Sequence, residues 1–252
     1  QQPTIEATLT SVPTQKSFEC KGTVRDSGAR FADFSGEVTV APCSDPENLT
    51  LAEMDMVIET GSIIKTESDS MAIISFADMT TFVMKPFTTV VIDFPEEESK
   101  LSLLAGKIWA NVKYMAETGH MNVTTNQAMS GTKGTTFVLE ETGQLSTLKV
   151  LDGEMFFRSH ATGKSLDVTT GQSISADPSG LTEVVTFDVS QEAAQWPETA
   201  EIGAQNPSPT TSPTTNGPID KKGLLTFLVL SVCLLVVLGL AVFGMRYFRT
   251  RR

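Results

Sequence analysis

Histidine is nearly absent from this chain: 252 residues contain two, His120 and His160. Neither has a second histidine or a cysteine at ligand spacing, so a zinc site or a histidine-based proton shuttle finds no support. Cysteine is almost as scarce, with three. Cys233 sits inside a long apolar run and reads as a small apolar residue. That leaves Cys20 and Cys43, too few for a four-ligand metal site. In an oxidising compartment they are expected to form one disulfide, closing a loop of about 24 residues. Positive charge is thin as well. Six of the 19 Lys and Arg fall in residues 221–252, which hold no acid, so residues 1–220 carry 13 bases against 30 acids, a formal charge of −17. That surface disfavours nucleic acid and anionic headgroups as partners and suits a hydrated, salt-rich exterior. Helical periodicity is missing too: before residue 220 only Gln191–Trp196 shows a weak trace of it.

One long apolar stretch is present. Gly223 to Met245 has no ionisable side chain, and its 23 residues would make a helix of about 34 Å, enough to cross a hydrocarbon core of about 30 Å. Arg246, Arg249, Arg251 and Arg252 follow it. A basic flank marks the cytoplasmic side, which predicts a single-pass cell-membrane protein, N-terminal domain outside and residues 246–252 as a basic cytoplasmic tail. The start at Gln1 without Met agrees with removal of a signal peptide. Asn48-Leu49-Thr50 and Asn122-Val123-Thr124 are N-glycan sequons, which fit the same compartment.

Residues 1–17 are Thr/Pro-rich and aperiodic, an extended arm. Residues 191–220 are assigned to a stalk, Pro/Thr/Ser-rich from Pro197 and partly polyproline in character. Between them, residues 18–190 read as one all-β head. Short β-branched or aromatic runs recur between Gly, Asp, Asn and Pro every 8–12 residues, the spacing of a sandwich, barrel or solenoid. Gly61, Gly106, Gly153 and Gly171 stand at predicted strand boundaries, and Gly131 and Gly134 suit a positive φ or close strand approach. Asp152-Gly153, between two β runs, reads as a hairpin turn. Phe156 and Phe157 should point to opposite faces of one strand.

These residues carry a resemblance. Ala128-Met129-Ser130-Gly131-Thr132-Lys133-Gly134-Thr135-Thr136-Phe137 is similar to the A-x-x-G-x-(R/K)-G-T-x-F core of the FecR domain family. Thr147 to Glu154 and Gly171-Gln172 resemble its later steps. Upstream, Gly61 to Thr66 and Ala72 to Asp78 resemble its "G-x-x-I-x-T … f-x-D" segment, with Met79 where the family often has glycine. Leu104 to Trp109, around Gly106, continues the match, so the resemblance runs over residues 36–176. It implies a compact β-solenoid or jelly-roll head in an extracytoplasmic segment, with Gly61, Thr66, Asp78, Gly106, Gly131, Gly134, Thr135, Phe137, Gly153 and Gly171 in architectural roles. The family's iron-dicitrate regulator places a cytoplasmic anti-sigma segment first, then the helix, then the domain; here the domain precedes the helix.

No catalytic constellation emerges. Ser62-x-x-Lys65 and Ser130-x-x-Lys133 satisfy S-x-x-K only in β context, where serine and lysine do not share a face. Gly131–Thr136 is not a phosphate loop. Glu96-Glu97-Glu98 is a solvated run with a weak Ca²⁺ site as a candidate use, and nothing calls for a cofactor. The expected function is therefore non-enzymatic: a membrane-anchored β domain acting by protein contact or self-assembly, as a cell-envelope or surface-assembly subunit. The alternative is an accessory sensor or relay subunit of a membrane uptake or signalling complex.

Overall fold

The computed structural model describes residues 25–77, 80–93, 99–113, 121–132 and 134–200. Seventeen strands and one short helix fill them. The first eight strands are β1 (Arg30–Ser35), β2 (Val38–Ala41), β3 (Thr50–Leu51), β4 (Ser62–Thr66), β5 (Met71–Ser75), β6 (Thr81–Met84), β7 (Thr89–Asp93) and β8 (Ser99–Val112). Then come β9 (Met121–Thr124), β10 (Ala128–Thr132), β11 (Thr135–Glu141), β12 (Ser146–Asp152), β13 (Glu154–Ser159), β14 (Ser165–Thr169) and β15 (Gln172–Asp177). The two-residue strands β16 (Gly180–Leu181) and β17 (Val185–Thr186) precede helix α1 (Val189–Ala193).

The strands form two stacked layers. A front sheet runs β1-β5-β6-β8-β11-β12-β15, with β16 and β17 both on β15. A back sheet runs β3-β2-β4-β7-β8-β9-β10-β13-β14. Strand β8 belongs to both: its first half pairs with β7 and β9, its second half with β6 and β11. Pairing is antiparallel except between β8 and β9.

Alternation in the sequence builds the core. Ala72, Ile74, Phe82, Met84, Ile108, Ala110, Phe137, Leu139, Leu148 and Val150 face inward from the front sheet, and Val38, Val40, Ile64, Val90, Ile92, Leu101, Leu103, Val123, Met155 and Phe157 from the back. Each is buried. At about 25 cal/mol per Å² of apolar surface, this interdigitated layer is the main source of stability. Phe157 lies in it, while its neighbour Phe156 is half-buried on the opposite face, as two adjacent strand residues must be.

The chain steps repeatedly from one sheet to the other, and every described step contains one left-handed residue. These are Gly36, Asp69, Phe87, Gly106, Gly134, Gly153 and Gly171, with φ between 52° and 94°. The register sorts them. Ser35 pairs with Met71, Ala72 with Met84, and Met84 with Ile108, which lines up the first four along one edge. Thr135 pairs with Val112 and Thr136 with Asp152, which puts Gly134 and Gly153, and with them Gly171, at the other edge. Asp152-Gly153 is thus a correction: β12 and β13 lie in different sheets and do not pair. A left-handed Gly fits a hairpin and a layer crossing equally well, so the dipeptide marks the turn and not its destination.

The segment from residue 191, read from the sequence as the start of a stalk, begins on the head. Residues up to Glu198 pack on the outer face of the front sheet. A second apolar cluster forms there from Ile73, Val83, Trp109, Val138, Leu151 and Trp196. Trp109 is therefore buried outside the main core.

Candidate functional site

The segment Phe187–Thr199 forms a strap over that outer face. Asp188 caps α1 by accepting the Gln191 N–H at 3.0 Å, which starts a single turn. The turn puts Glu192 and Trp196 on one side, four residues apart, and both are buried, at 3% and 1% exposure. Three lysines meet them. Lys149 Nζ donates to Glu192 Oε2 at 2.5 Å, and Lys107 Nζ lies 3.3 Å from Oε1. Trp196 Nε1 donates to the same Oε1 at 3.3 Å. Lys85 Nζ pairs with Glu198 at 2.8 Å and stands 4.8 Å above the Trp196 ring, with Lys107 Nζ at 5.5 Å. Burial alone pushes the Glu192 carboxyl up. The hydrogen bonds from Lys149 and Trp196 and the charges of Lys107 and Lys149 outweigh it and hold the group below the ordinary carboxylate range.

Beside Lys85 and Lys107 lies one of the tight layer crossings. Thr66 Oγ1 donates to the Lys85 carbonyl at 2.7 Å and accepts the Thr88 N–H at 3.0 Å. Thr88 Oγ1 in turn accepts the Lys107 N–H at 3.1 Å. Two hydroxyls thereby tie β4, β7 and β8 where β8 changes sheets. Gly106 leaves no room for a side chain: a Cβ there would lie 2.4 Å from Thr88 Oγ1 and 2.7 Å from the Phe87 carbonyl. Phe87 itself is 65% exposed at φ 57°. An aromatic residue in that conformation is strained. Its N–H reaches the Glu67 carbonyl at 3.4 Å, which ties its backbone to the neighbouring acidic crossing, Glu67 to Asp69.

The structure brings several motif residues together. Thr66 and Gly106 share the node just described. Thr135, Gly134 and Gly153 share the other edge, where Thr135 Oγ1 donates to the Glu154 carbonyl at 3.2 Å and the Gly171 N–H reaches the Val150 carbonyl. Gly61 donates to the Ile92 carbonyl at 2.6 Å, and Phe137 is fully buried. Gly131 lies under the Phe156 ring; a Cβ would meet its Cε1 at 2.4 Å. Asp78, His120 and the Glu96–Glu98 run lie outside the described residues. Asn48 is exposed in the loop before β3, whereas Asn122 is half-buried within β9. Cys43 is disulfide-bonded, and both Cys20 and Cys233 lie outside the described residues. Ser62 and Ser130 are buried in strands, at 2% and 1% exposure. Among the described residues there is no group of three or more His, Cys, Asp or Glu that could hold a metal ion. No described helix is long and apolar enough to cross a membrane, and Gly223 to Met245 lies outside the described residues.

Residues 62–156 match the FecR protein family. The matched segment is shorter at both ends than residues 36–176. It runs from the start of β4 into β13 and contains Lys85, Lys107 and Lys149, but neither Glu192 nor Trp196. No curated protein matches the chain. Two crystal structures of a proposed anti-sigma factor from Parabacteroides distasonis align at TM-scores of 0.47 and 0.46, with 15% and 16% identity. Each alignment covers 53% of this chain and 63% of that one, so the chain spans less than two thirds of those proteins.

Sequence reasoning missed the strap and the lysines under it. A signal was available: Asp188 followed by Gln191 is a capping pattern, and Glu192 and Trp196 stand at helical spacing.

Proposed function

We propose that this chain is an extracytoplasmic FecR-like domain that serves as a sensor or relay subunit of a membrane signalling complex and works by protein–protein contact. The observation that carries the reading is the FecR match over residues 62–156, the middle of both sheets. It favours the relay over a surface-assembly subunit, for which no comparable match speaks. Residues 223–245 would hold the domain at the membrane, with the head outside and the basic residues after Met245 inside. Asn48 would be the better placed glycan acceptor, being exposed in a loop. The strap joins this head to whatever follows residue 200, so a change in the head reaches the membrane-proximal segment through it.

The test is to exchange residues 223–245 for an unrelated apolar helix of equal length, then extract the protein from native membranes with mild detergent. A relay keeps its stoichiometric signalling or transport partner on the head and loses the downstream response. Full retention of the response, or extraction only as multiples of this chain, overturns the relay reading.

A further inference from the structure

Among the described residues, one face is covered in an unusual way. The strap is tied to the crossing before β15 by one backbone hydrogen bond, from the Phe187 N–H to the Gly171 carbonyl at 2.9 Å; among the described residues, the other backbone hydrogen bonds from Asp188 to Ala200 lie within the strap itself. Its polar links to the sheet are lysine ion pairs, and its apolar link is Trp196, with Val189 beside it, in the cluster formed with Ile73, Val83, Trp109, Val138 and Leu151. A side-chain latch of this kind can be replaced without opening a single β ladder. The surface beneath it is a shaped receptor: an apolar floor rimmed by Lys85, Lys107 and Lys149. Floor and rim lie within the FecR-matched segment, and the cover lies outside it.

We propose that this face is a docking groove for a short protein segment carrying a carboxylate and an aromatic residue four positions apart, and that the chain's own strap occupies it as an exchangeable stand-in. The occupant's chemistry follows from the present one. A buried indole over an apolar floor is the residue type that dominates binding energy. Lysines at 24–28% side-chain exposure around a buried carboxylate select an acidic ligand. A partner segment of this kind would displace the strap and free the linkage to residue 200 and beyond. The inference stands on the sheet face alone and survives if the relay reading fails.

The test uses the full chain with Trp196→Ala, which empties the groove of its anchor, and a fluorescent peptide with the sequence of residues 187–200. Expected is saturable binding to the variant, at least about tenfold tighter than to the unaltered chain, weakened by salt. Binding should be lost when the peptide itself lacks the tryptophan or when Lys107→Gln and Lys149→Gln are added. No binding to a variant whose thermal transition shows it folded overturns the proposal, as does equal binding to both chains. Should Trp196→Ala fail to fold, hydrogen exchange in the unaltered chain decides. Strap amides that exchange well before the core strands support an exchangeable strap. Strap amides that exchange only with global unfolding overturn it.

Discussion

The two edges of this sandwich do the same job with different means. At the second edge the crossings are made by Gly134, Gly153 and Gly171, and Gly134 has open space where a Cβ would go. At the first edge the glycines are pressed against hydroxyl residues, Gly36 on Ser70 and Gly106 on Thr88, each with a would-be contact of 2.4 Å. Two of its four crossings use no glycine at all. Asp69 is a tolerable substitute, since a short polar side chain accepts the left-handed region. Phe87 is not. The second edge is looser, open at Gly134 though close at Gly153, where a Cβ would lie 3.1 Å from Thr135 Oγ1, while the first is packed, strained and adjacent to the lysines that hold the strap.

The largest expected effect tests that contrast directly. Gly106→Ala should lower stability by about 2–5 kcal/mol, from overpacking plus left-handed strain. The same change at Gly134 meets no atom and should cost only about 1–2 kcal/mol. Equal losses in denaturant melts of the two variants would erase the distinction between the edges.

Next comes the hydroxyl node. Thr66→Val keeps the shape and removes a donor and an acceptor among buried backbone groups, for an expected loss of about 1–3 kcal/mol. Wild-type stability in a urea titration would show that the node is decoration.

The strap adds a pH dependence. Glu192 is depressed in the folded state, so its contribution is full above the unfolded value of about 4.3 and is lost as pH falls through the lower folded value. The gap in melting temperature between the unaltered chain and Glu192→Gln should be wide at neutral pH and close under acid. A constant gap would mean that the ion pairs with Lys107 and Lys149 do not hold the strap.

Smallest, and opposite in sign, is Phe87→Gly. Relief of strain, offset by the greater freedom of glycine in the unfolded chain, should stabilise by about 0.5–1 kcal/mol. For a domain of this size that raises the melting temperature by about 1–4 °C. A fall instead would show that the ring packs usefully, and the strain argument would go.

Much of the β framework was legible, because alternation at Lys107 to Val112 or Thr147 to Val150 states which side chains face inward. The glycine boundaries were legible as well. What could not be read was the layer each strand would join: Asp152-Gly153 encodes a bend, and β13 is drawn into the back sheet by its pairing with β10, 23 to 31 residues away, through pairs such as Met129 with Arg158. The strap was only faintly legible, for another reason. Its helical trace at Gln191–Trp196 and its capping pattern are short, and the acidic, proline-bearing context of Trp196 resembles a linker until Lys85, Lys107 and Lys149 are seen beneath it.

One strand holds a further consequence. Because β8 is hydrogen-bonded to four neighbours, two in each sheet, neither layer is complete before it arrives. Its pairing with β9 is the parallel one, which a tight hairpin cannot close and which forms late in a chain's search. Both sheets should therefore melt in a single transition, with no half-molecule surviving alone, and the refolding rate should be set by the moment this strand finds its place.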